Sequence, residues 1–400
     1  MSGDPTAGLV PGVPAAPAPV APVGAPQAGL CRFGDGLAIG PDLEGAAEVA
    51  LAQALGPLDG RPPDLVCVFV AAGMPAQCGA VEAAARRVMD AAGAATTIGA
   101  TAAGVFGDGR GVGHGPAVAV WAAALPGADV RPFRPTALDL PERSGDERAA
   151  ALLVDPHTFP VAGFLPHTGS LPFAGALASA RGGPGSNRLF LDGEVYAHGA
   201  VGLLIGGDVR VTAVVSQGCR PVGPPMTVTR AERNVLLELA GAPALQRLSE
   251  VVDRVPVPRR RAAARALQLG VVVDEYTDEH TRGDFLVRGI LGADEATGAV
   301  AVGDVVEVGR TVRFQVRDAG AAAEDLEALL PSGGGNRGAL LFSCVSRGRA
   351  LFKRPDHDVR AVRDRFGGAP VAGLVAAGEI GPVGRRNHLH GRSASVLAFG

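Results

Sequence analysis

The sequence predicts an α/β protein with two lobes of mixed β-sheets and flanking helices, built on a repeated strand–helix–strand–turn–strand unit. One reason is length, because 400 residues with 47% hydrophobic content can bury a large core and suggest two domains. Another is the alternation of short apolar runs, typical of strands, with stretches of helical spacing. The third is one pattern that occurs three times along the chain.

The repeated pattern begins with Gly and small apolar residues, continues through a glycine-rich turn to a His-Gly pair, and closes in an apolar strand. A further apolar run precedes each copy. Because a repeat this long indicates one supersecondary unit used several times, it is a signal of architecture. The copies are Gly99–Ala123, Gly175–Leu204 and Gly373–Ala398, their His-Gly pairs begin at His114, His198 and His390, and the preceding runs are Leu65–Val70, Ala151–Val154 and Ala339–Cys344.

The first copy shows each element of the unit. Asp64–Val70 is a β-rich run that ends at a small-residue break, and Gly79–Ala92 has the apolar spacing of a helix. Thr96–Ala103 and Gly115–Ala123 have the composition of strands, and a glycine turn separates them. In the middle copy two prolines interrupt the helical stretch, which predicts a short helix or a loop there.

The C-terminal copy repeats this order, and further strands lie between it and the middle copy. The predicted elements of the last copy are the strand Gly338–Cys344, the helix Asp358–Phe366, and the strands Val371–Ala376 and Ser393–Phe399. The intervening strands are Val209–Val215, Asn234–Leu239, Gly270–Asp274, Phe285–Leu291, Ala299–Val302 and Arg310–Val316, and the intervening helices are Arg260–Leu269 and Glu324–Leu330.

Composition argues against several classes of partner. A net charge of −3, from 37 basic and 40 acidic residues, gives no electrostatic footprint for nucleic acid. No apolar stretch reaches about 18 residues, so we expect no membrane span. Five cysteines without a CxxC pair fit a reducing cytoplasm better than a disulfide framework or a zinc ribbon. Residues 1–29 form a Pro/Ala/Gly tract that cannot offset its ordering entropy, and we expect a disordered tail there.

Four long motifs resemble the FIST proteins, which combine a FIST N and a FIST C domain. In chain order they are Val214–Ala231, Gly270–Leu291, Ala339–Arg349 and Gly373–Gly381. The resemblance covers the chain from about Asp64 to its C-terminus and implies a sensory domain of signal transduction that binds small ligands such as amino acids. It implies no catalytic residue. It divides the chain into a FIST N-like domain at 30–226 and a FIST C-like domain at 227–400.

The strongest candidate ligand contacts lie at the end of the strand in the last predicted β–α unit. Cys344 would lie at the carboxyl end of a buried strand, where α/β proteins place ligand contacts, beside Arg347 and Arg349. Nearby cations favour a thiolate, and guanidinium groups can hold a carboxylate in a fork. The alternative is a small buried thiol with both arginines in solvent. Glu379, in an apolar strand-turn, should reach a pocket near Arg347 or pair with a cation, and we expect Arg347 to be exposed.

Other candidates lie elsewhere. Asn187 and Arg188 follow a glycine loop that would let the backbone approach a ligand, although a hairpin turn with solvated arginines gives the same pattern. Glu275 is the member of an acidic cluster expected to face inward, and a solvated sheet edge is the alternative. His388 and His390 share one strand face and could bind a metal, but the recurrence of His-Gly favours a structural role. No metal or cofactor is predicted.

These observations favour a cytoplasmic sensory protein that binds a small molecule, an amino acid or another small carboxylate, between its two lobes. A signalling protein would be its partner, and neither nucleic acid nor a membrane is expected. One alternative is an enzyme with Cys344 as nucleophile and His390 or Glu379 as proton acceptor. Another is a protein-interaction scaffold, which would carry a large apolar surface patch and no enclosed pocket.

Overall fold

The computed structural model describes residues 31–73, 78–136, 139–254, 266–276, 283–331 and 338–400, together with positions 260, 264, 280 and 281. The predicted tail at 1–29 lies outside the described residues. The α/β class with mixed sheets is confirmed, since four sheets and several helices make up the described part of the chain. No described helix is both long and apolar enough to cross a membrane.

Three of the sheets have six strands each and the same strand arrangement. In spatial order, the first sheet contains β1 (Arg32–Ile39), β6 (Pro116–Ala124), β2 (Leu65–Ala72), β3 (Thr96–Thr101), β10 (Leu189–Leu191) and β11 (Glu194–Tyr196). The second contains β7 (Ala128–Phe133), β12 (Ala200–Gly207), β8 (Ala149–Val154), β9 (Phe173–Leu177), β24 (Gly378–Val383) and β25 (Arg386–His390). The third contains β13 (Val211–Ser216), β26 (Ala394–Phe399), β22 (Gly338–Cys344), β23 (Val371–Ala376), β4 (Val105–Gly107) and β5 (Arg110–Val112).

Each of these sheets has one parallel pair at its centre, β2 with β3, β8 with β9, and β22 with β23. A third long strand runs antiparallel to the first strand of each pair. Beyond the second strand of each parallel pair, the last two strands of the sheet form a hairpin that comes from another copy of the sequence pattern. The β4–β5 hairpin extends β23, the β10–β11 hairpin extends β3, and the β24–β25 hairpin extends β9.

The glycine that opens each copy of the sequence pattern is explained by a close approach between the two parallel strands. A Cβ atom on Gly99, Gly175 or Gly373 would lie within 2.0 Å of a backbone carbonyl oxygen on the neighbouring strand. The oxygens belong to Val68, Leu152 and Leu341. Any larger side chain would therefore push the two strands apart.

The fourth sheet has eight strands and closes on itself, because β18 (Leu267–Val272) pairs with both β19 (Phe285–Asp294) and β21 (Thr311–Val316). The remaining strands of this sheet are β14 (Arg220–Pro221), β15 (Met226–Glu232), β16 (Val235–Leu239), β17 (Ala242–Pro243) and β20 (Ala299–Val302). The predicted helix at 260–269 is wrong for residues 267–269, which begin β18, and most of its other residues lie outside the described ones.

The helices lie on the connections and flank the sheets. They are α1 (Leu43–Leu55), α2 (Cys78–Ala91), α3 (Val161–Phe164), α4 (Ala244–Asp253), α5 (Ala319–Leu329) and α6 (His357–Arg365), with 3-10 turns at Gly56–Leu58 and Leu165–Thr168 and a π-turn at Gly348–Phe352. Helix α2 joins β2 to β3, and α6 joins β22 to β23. The short α3 holds the corresponding place between β8 and β9, as the interrupting prolines predict.

The main core lies where the three six-stranded sheets face one another. Trp121 of β6 is fully buried and packs against Phe33 of β1 and Phe399 of β26, with ring centroids 5.5 and 5.0 Å away. Phe69 of β2 makes an edge contact with Phe342 of β22. Strands from both sides of residue 226 therefore share sheets and a core, and the division of the chain at 226/227 stays a prediction.

Candidate ligand site

Two predicted site residues meet where β22 and β24 approach each other. Cys344 is the last residue of β22, and Glu379 is the second residue of β24. The Cys344 sulfur accepts hydrogen bonds from the Arg392 backbone N–H and the Ser346 hydroxyl, both at 3.2 Å. Burial raises the pKa of this thiol, and the neighbouring Glu379 carboxylate raises it further. The expectation that nearby cations would favour a thiolate is therefore wrong, because burial and a like charge outweigh them.

The Glu379 carboxyl group is fully buried and only half engaged. Its Oε2 accepts hydrogen bonds from the Ser393 backbone N–H at 3.0 Å and from the Ser393 hydroxyl at 2.7 Å. Its Oε1 has no hydrogen-bond partner among the described residues. Burial raises the pKa of Glu379 to about 8, although the Ser393 bonds, Cys344 and Arg347 act in the opposite direction.

Arg347 is fully buried, which contradicts the expectation that it is exposed. Its Nε and Nη2 atoms donate to both oxygens of Asp358, at 2.7 and 2.9 Å. Asp358 lies in the first turn of α6 and also accepts from the Ser343 hydroxyl at 2.6 Å. This carboxylate compensates the guanidinium charge and makes the burial possible. The Arg347 Nη1 atom has no acceptor among the described residues.

A cavity of about 210 Å³ lies next to this cluster. Between its lining residues Gln217 and Cys219 stands Gly218, and a Cβ atom on Gly218 would lie 2.9 Å from Arg347 Nη1. The guanidinium group therefore lies directly behind the backbone that forms this part of the wall. The lining residues are Ala213, Val214, Val215, Gln217, Cys219, Gly283, Phe285, Val287, Gln315, Asp325, Leu329, Pro382, Val383 and Gly384.

Three buried hydrogen-bond donors near this cavity lack an acceptor among the described residues, and one of them belongs to a lining residue. Gln315 Nε2, Arg317 Nε and Arg347 Nη1 are buried and lack an acceptor among the described residues. Gln315 lines the cavity, and Arg317 follows it by two residues. Asp325 is the carboxylate in the wall, and its Oδ2 already accepts from Ser216 Oγ and the Gly218 N–H, both at 2.8 Å.

The charges of the cluster act on one another. Burial lowers the pKa of Arg317, and the positive charge of Arg347 lowers it further. Burial raises the pKa of Cys219 to about 12, so this thiol is neutral at physiological pH. The wall of the cavity therefore contains a neutral thiol, and the two guanidinium groups that repel each other belong to residues outside the lining.

The family of the chain follows from two adjoining matches. A FIST N domain matches residues 64–242, and a FIST C domain matches residues 244–382. The chain belongs to the FIST family. This family is associated with sensing in signal transduction.

Full-length relatives of this FIST protein occur in mycobacteria. Two are uncharacterized proteins of Mycobacterium tuberculosis, from strains CDC 1551 and H37Rv. Each is 41% identical over 392 residues, which cover 92% of this chain and 99% of the relative. A third, from Mycobacterium bovis, is 38% identical over 392 residues, with 92% of this chain and 98% of the relative covered.

The remaining predicted residues of this FIST chain do not join the cluster. Arg349 is exposed and lines a separate open groove with His114 and Pro355. Arg188 pairs with Glu82, Nε to Oε1 at 2.5 Å. These two guanidinium groups are therefore separate from the cavity of about 210 Å³, whose wall contains neither of them.

Asn187 and Glu275 support local structure. The Asn187 amide donates to Asp155 at 2.8 Å and accepts from the Ala180 N–H at 2.9 Å, which fixes the loop before β10. The prediction that Glu275 faces inward is wrong. It is exposed and accepts from the N–H of Thr311, the first residue of β21, at 2.9 Å, as the solvated alternative describes.

Sequence reasoning missed the polar side chains of the FIST cavity itself. Gln315 is buried although it lies on the opposite face of β21 from the core residues Val312 and Phe314, and Asp325 lies among the buried alanines and leucine of α5. A buried polar residue on an apolar face is the signal that could have found Asp325, whereas the face of Gln315 is otherwise polar and gives no such signal. In the described part of the chain, no cluster of three His, Cys, Asp or Glu side chains could hold a metal ion.

Proposed function

We propose that this FIST protein is a cytoplasmic sensor that binds a small carboxylate, such as an amino acid, in the cavity of about 210 Å³. The observation that carries the proposal is the buried Gln315 Nε2 donor in the cavity wall, which lacks an acceptor among the described residues. The charges of Arg317 and Arg347 act on the lining residue Cys219 from outside the wall and would favour an anion. A buried donor without an acceptor costs about 1–3 kcal/mol, and a ligand carboxylate would remove this cost.

The size of the cavity supports a ligand of this class. With a share of about 30 Å³ for each water, the space holds about seven waters, which is enough for a small amino acid. Ala213, Gln217 and Cys219 come from the part that we assign to the FIST N-like domain, 30–226. Phe285 and Gln315 come from the part assigned to the FIST C-like domain, 227–400. A ligand would thus contact both parts and shift the protein toward the conformation that binds it best.

The two alternatives receive less support. A nucleophilic Cys344 needs a thiolate, and burial raises the pKa of this thiol instead. A pure scaffold would lack a pocket for a ligand, whereas the partly open cavity of about 210 Å³ is large enough for a small one. We therefore assign no catalytic residue, and we expect a signalling protein as the partner that reads the bound state.

A thermal-shift screen of amino acids and small mono- and dicarboxylates tests the proposal. A ligand at 100 times its Kd stabilises the folded state by about 2.7 kcal/mol, which gives a measurable rise in Tm. The methyl ester of the best acid should bind much more weakly, because it lacks the charge that the donors require. If no acid raises Tm, or the ester binds as well as the acid, the proposal is wrong.

A matched pair of variants locates the site. Gln315→Leu removes one cavity donor and should weaken the acid roughly ten- to hundredfold, the value of a hydrogen bond to a charged group. Gln268→Leu is the control, because Gln268 is equally buried and lies opposite Gln315 on β18 but does not line the cavity. Equal losses in both variants would place the ligand elsewhere.

A further inference from the structure

A second concave surface lies on the other side of the cavity wall. This groove has a volume of about 740 Å³ and follows β25, the outermost strand of the second sheet. One side is formed by the α3 segment and the other by β19. The lining residues are Ala162, Leu165, Pro166, Gly169, Leu286, Arg288, Asp304, Arg385, Arg386, Asn387, His388 and Leu389.

The described lining of the groove is positively charged in a protein whose net charge is −3. Among the described lining residues there are three arginines and one carboxylate, Asp304, which pairs with Arg288 Nε at 2.7 Å. Arg385 and Arg386 are exposed, and neither forms an ion pair with a described residue. The two unpaired guanidinium groups at the mouth of the groove therefore select an anionic occupant.

The floor of the groove favours aliphatic contacts. Leu165, Leu286 and Leu389 contribute apolar surface, and the described lining contains no Phe, Tyr or Trp. Nucleic-acid bases stack best on such large aromatic side chains, so the lining disfavours them. His388 adds a polar atom, Nε2, that is buried and has no partner among the described residues. Burial lowers the pKa of His388 to about 4, with the Arg288 and Arg386 charges acting in the same direction, so the ring can donate or accept while neutral.

The position of β25 suits an extended chain. An outer strand presents backbone N–H and C=O groups on its free side, and an added peptide strand can use them. Arg288 already occupies one of them, because its Nη1 donates to the Leu389 carbonyl at 3.3 Å. We propose that this groove binds an extended acidic peptide segment of a partner protein, with an aliphatic side chain between its carboxylates.

The groove and the cavity share a wall, which gives the peptide site a role in the proposed sensor. Phe285 and Val287 of β19 line the cavity, whereas Leu286 and Arg288 of the same strand line the groove, as alternation along a strand requires. The β24–β25 hairpin also contributes to both, with residues 382–384 on the cavity and 385–389 on the groove. This coupling rests on the proposed function, whereas the peptide site in the groove is independent of it.

Fluorescence anisotropy with a labelled peptide of alternating Glu and Leu tests the groove. The full chain should bind this peptide, and added salt should weaken binding. Replacing Arg385 and Arg386 with Glu should reduce affinity at least tenfold. Replacing the exposed Arg254 and Arg354 with Glu changes the net charge equally outside the groove and should leave affinity within twofold. Equal losses in both double variants overturn the proposal.

Three further probes separate the sources of negative charge. A Lys-Leu peptide of the same length should not bind. A single-stranded oligonucleotide that binds more tightly than the acidic peptide overturns the proposal in favour of nucleic acid. Inorganic phosphate that displaces the peptide at low millimolar concentration overturns it in favour of a small-anion site.

A repeat of the peptide titration with the best acid from the thermal-shift screen tests the coupling. We expect the acid to change peptide affinity at least threefold. If the acid binds and peptide affinity is unchanged, the coupling is wrong and both sites stand. If no acid binds but the peptide does, the proposed cavity function fails and the groove stands.

Discussion

Replacement of Arg347 by Met should destabilise the fold strongly, although the sequence alone predicts an exposed and dispensable side chain. The guanidinium group is fully buried and donates two hydrogen bonds to Asp358, at 2.7 and 2.9 Å. Removing it leaves a buried carboxylate whose remaining side-chain partners among the described residues are Ser343 and His357. Breaking a buried ion pair in this way costs about 3–5 kcal/mol, a large fraction of a typical stability of about 5–15 kcal/mol.

Urea unfolding followed by the fluorescence of Trp121, the only tryptophan of the chain, measures this cost. Trp121 is a suitable probe because it is buried between the first and third sheets. The double variant Arg347→Met with Asp358→Leu should lose less stability than the two single variants lose in sum, by about 2 kcal/mol or more. The reason is that no buried charge remains unpaired in the double variant. A loss below about 1 kcal/mol for Arg347→Met alone would refute the reasoning.

The pH dependence gives an independent check on the same pair. Arg347 holds the pKa of Asp358 well below its usual range, against the opposing effect of burial. A depressed acid pKa stabilises the protein above the unfolded-state pKa, and this contribution is lost as the pH falls. The difference in stability between the wild type and Arg347→Met should therefore narrow below about pH 4. A difference that stays constant down to pH 3 would contradict the ion-pair account.

Three further predictions concern other parts of the molecule. Because the pKa of Glu379 is raised to about 8, the free energy of unfolding of the wild type should fall by about 1.4 kcal/mol per pH unit between about pH 6.5 and 8, above the pKa values of His388 and His390. The Glu379→Gln variant should show no such slope, and equal slopes in the two proteins would contradict the buried, protonated Glu379. Cys344 should react with iodoacetamide near neutral pH at least tenfold more slowly than the less buried Cys78, as mass spectrometry of the labelled chain can show, and faster labelling of Cys344 would revive the nucleophile alternative. Gly175→Ala should cost about 1–3 kcal/mol because its Cβ would lie 2.0 Å from the Leu152 oxygen, while Gly163→Ala, with open space around it, should be nearly neutral in the same urea assay.

Periodicity predicted the elements that bury a continuous apolar face. The predicted strands Gly338–Cys344 and Val371–Ala376 agree with β22 and β23 residue for residue, and the predicted helix at 358–366 lies one residue from α6. In these segments the local sequence pattern and the tertiary environment favour the same secondary structure, so the sequence alone predicts it. The hairpin strands of the first repeat, β4 and β5, have only three residues each, and their partner β23 is distant in sequence. A local pattern carries no information about such a partner.

The candidate site was predictable to the level of strand ends and no further. Parallel pairing of β22 with β23 brings Cys344 close to the β24 residue Glu379, as the connecting helix suggested. The burial of Arg347 could not be predicted, because it depends on one carboxylate in the next helix. Gln315 belongs to the fourth sheet, and a local pattern cannot show that it lines one cavity with Val214 and Val215 of β13 in the third sheet.

The exchange of hairpins among the three sheets has a consequence for how the chain is made. The β4–β5 hairpin is synthesised early, yet its partner β23 emerges only near the C-terminus. The partner of β9, the strand β24, also emerges only there. A nascent chain released after residue 242 would hold a hairpin without a sheet and a sheet with an open edge, both of which favour aggregation. Neither the second nor the third sheet can therefore be completed until almost the whole polypeptide has been synthesised. Truncated fragments should need chaperones to stay in solution.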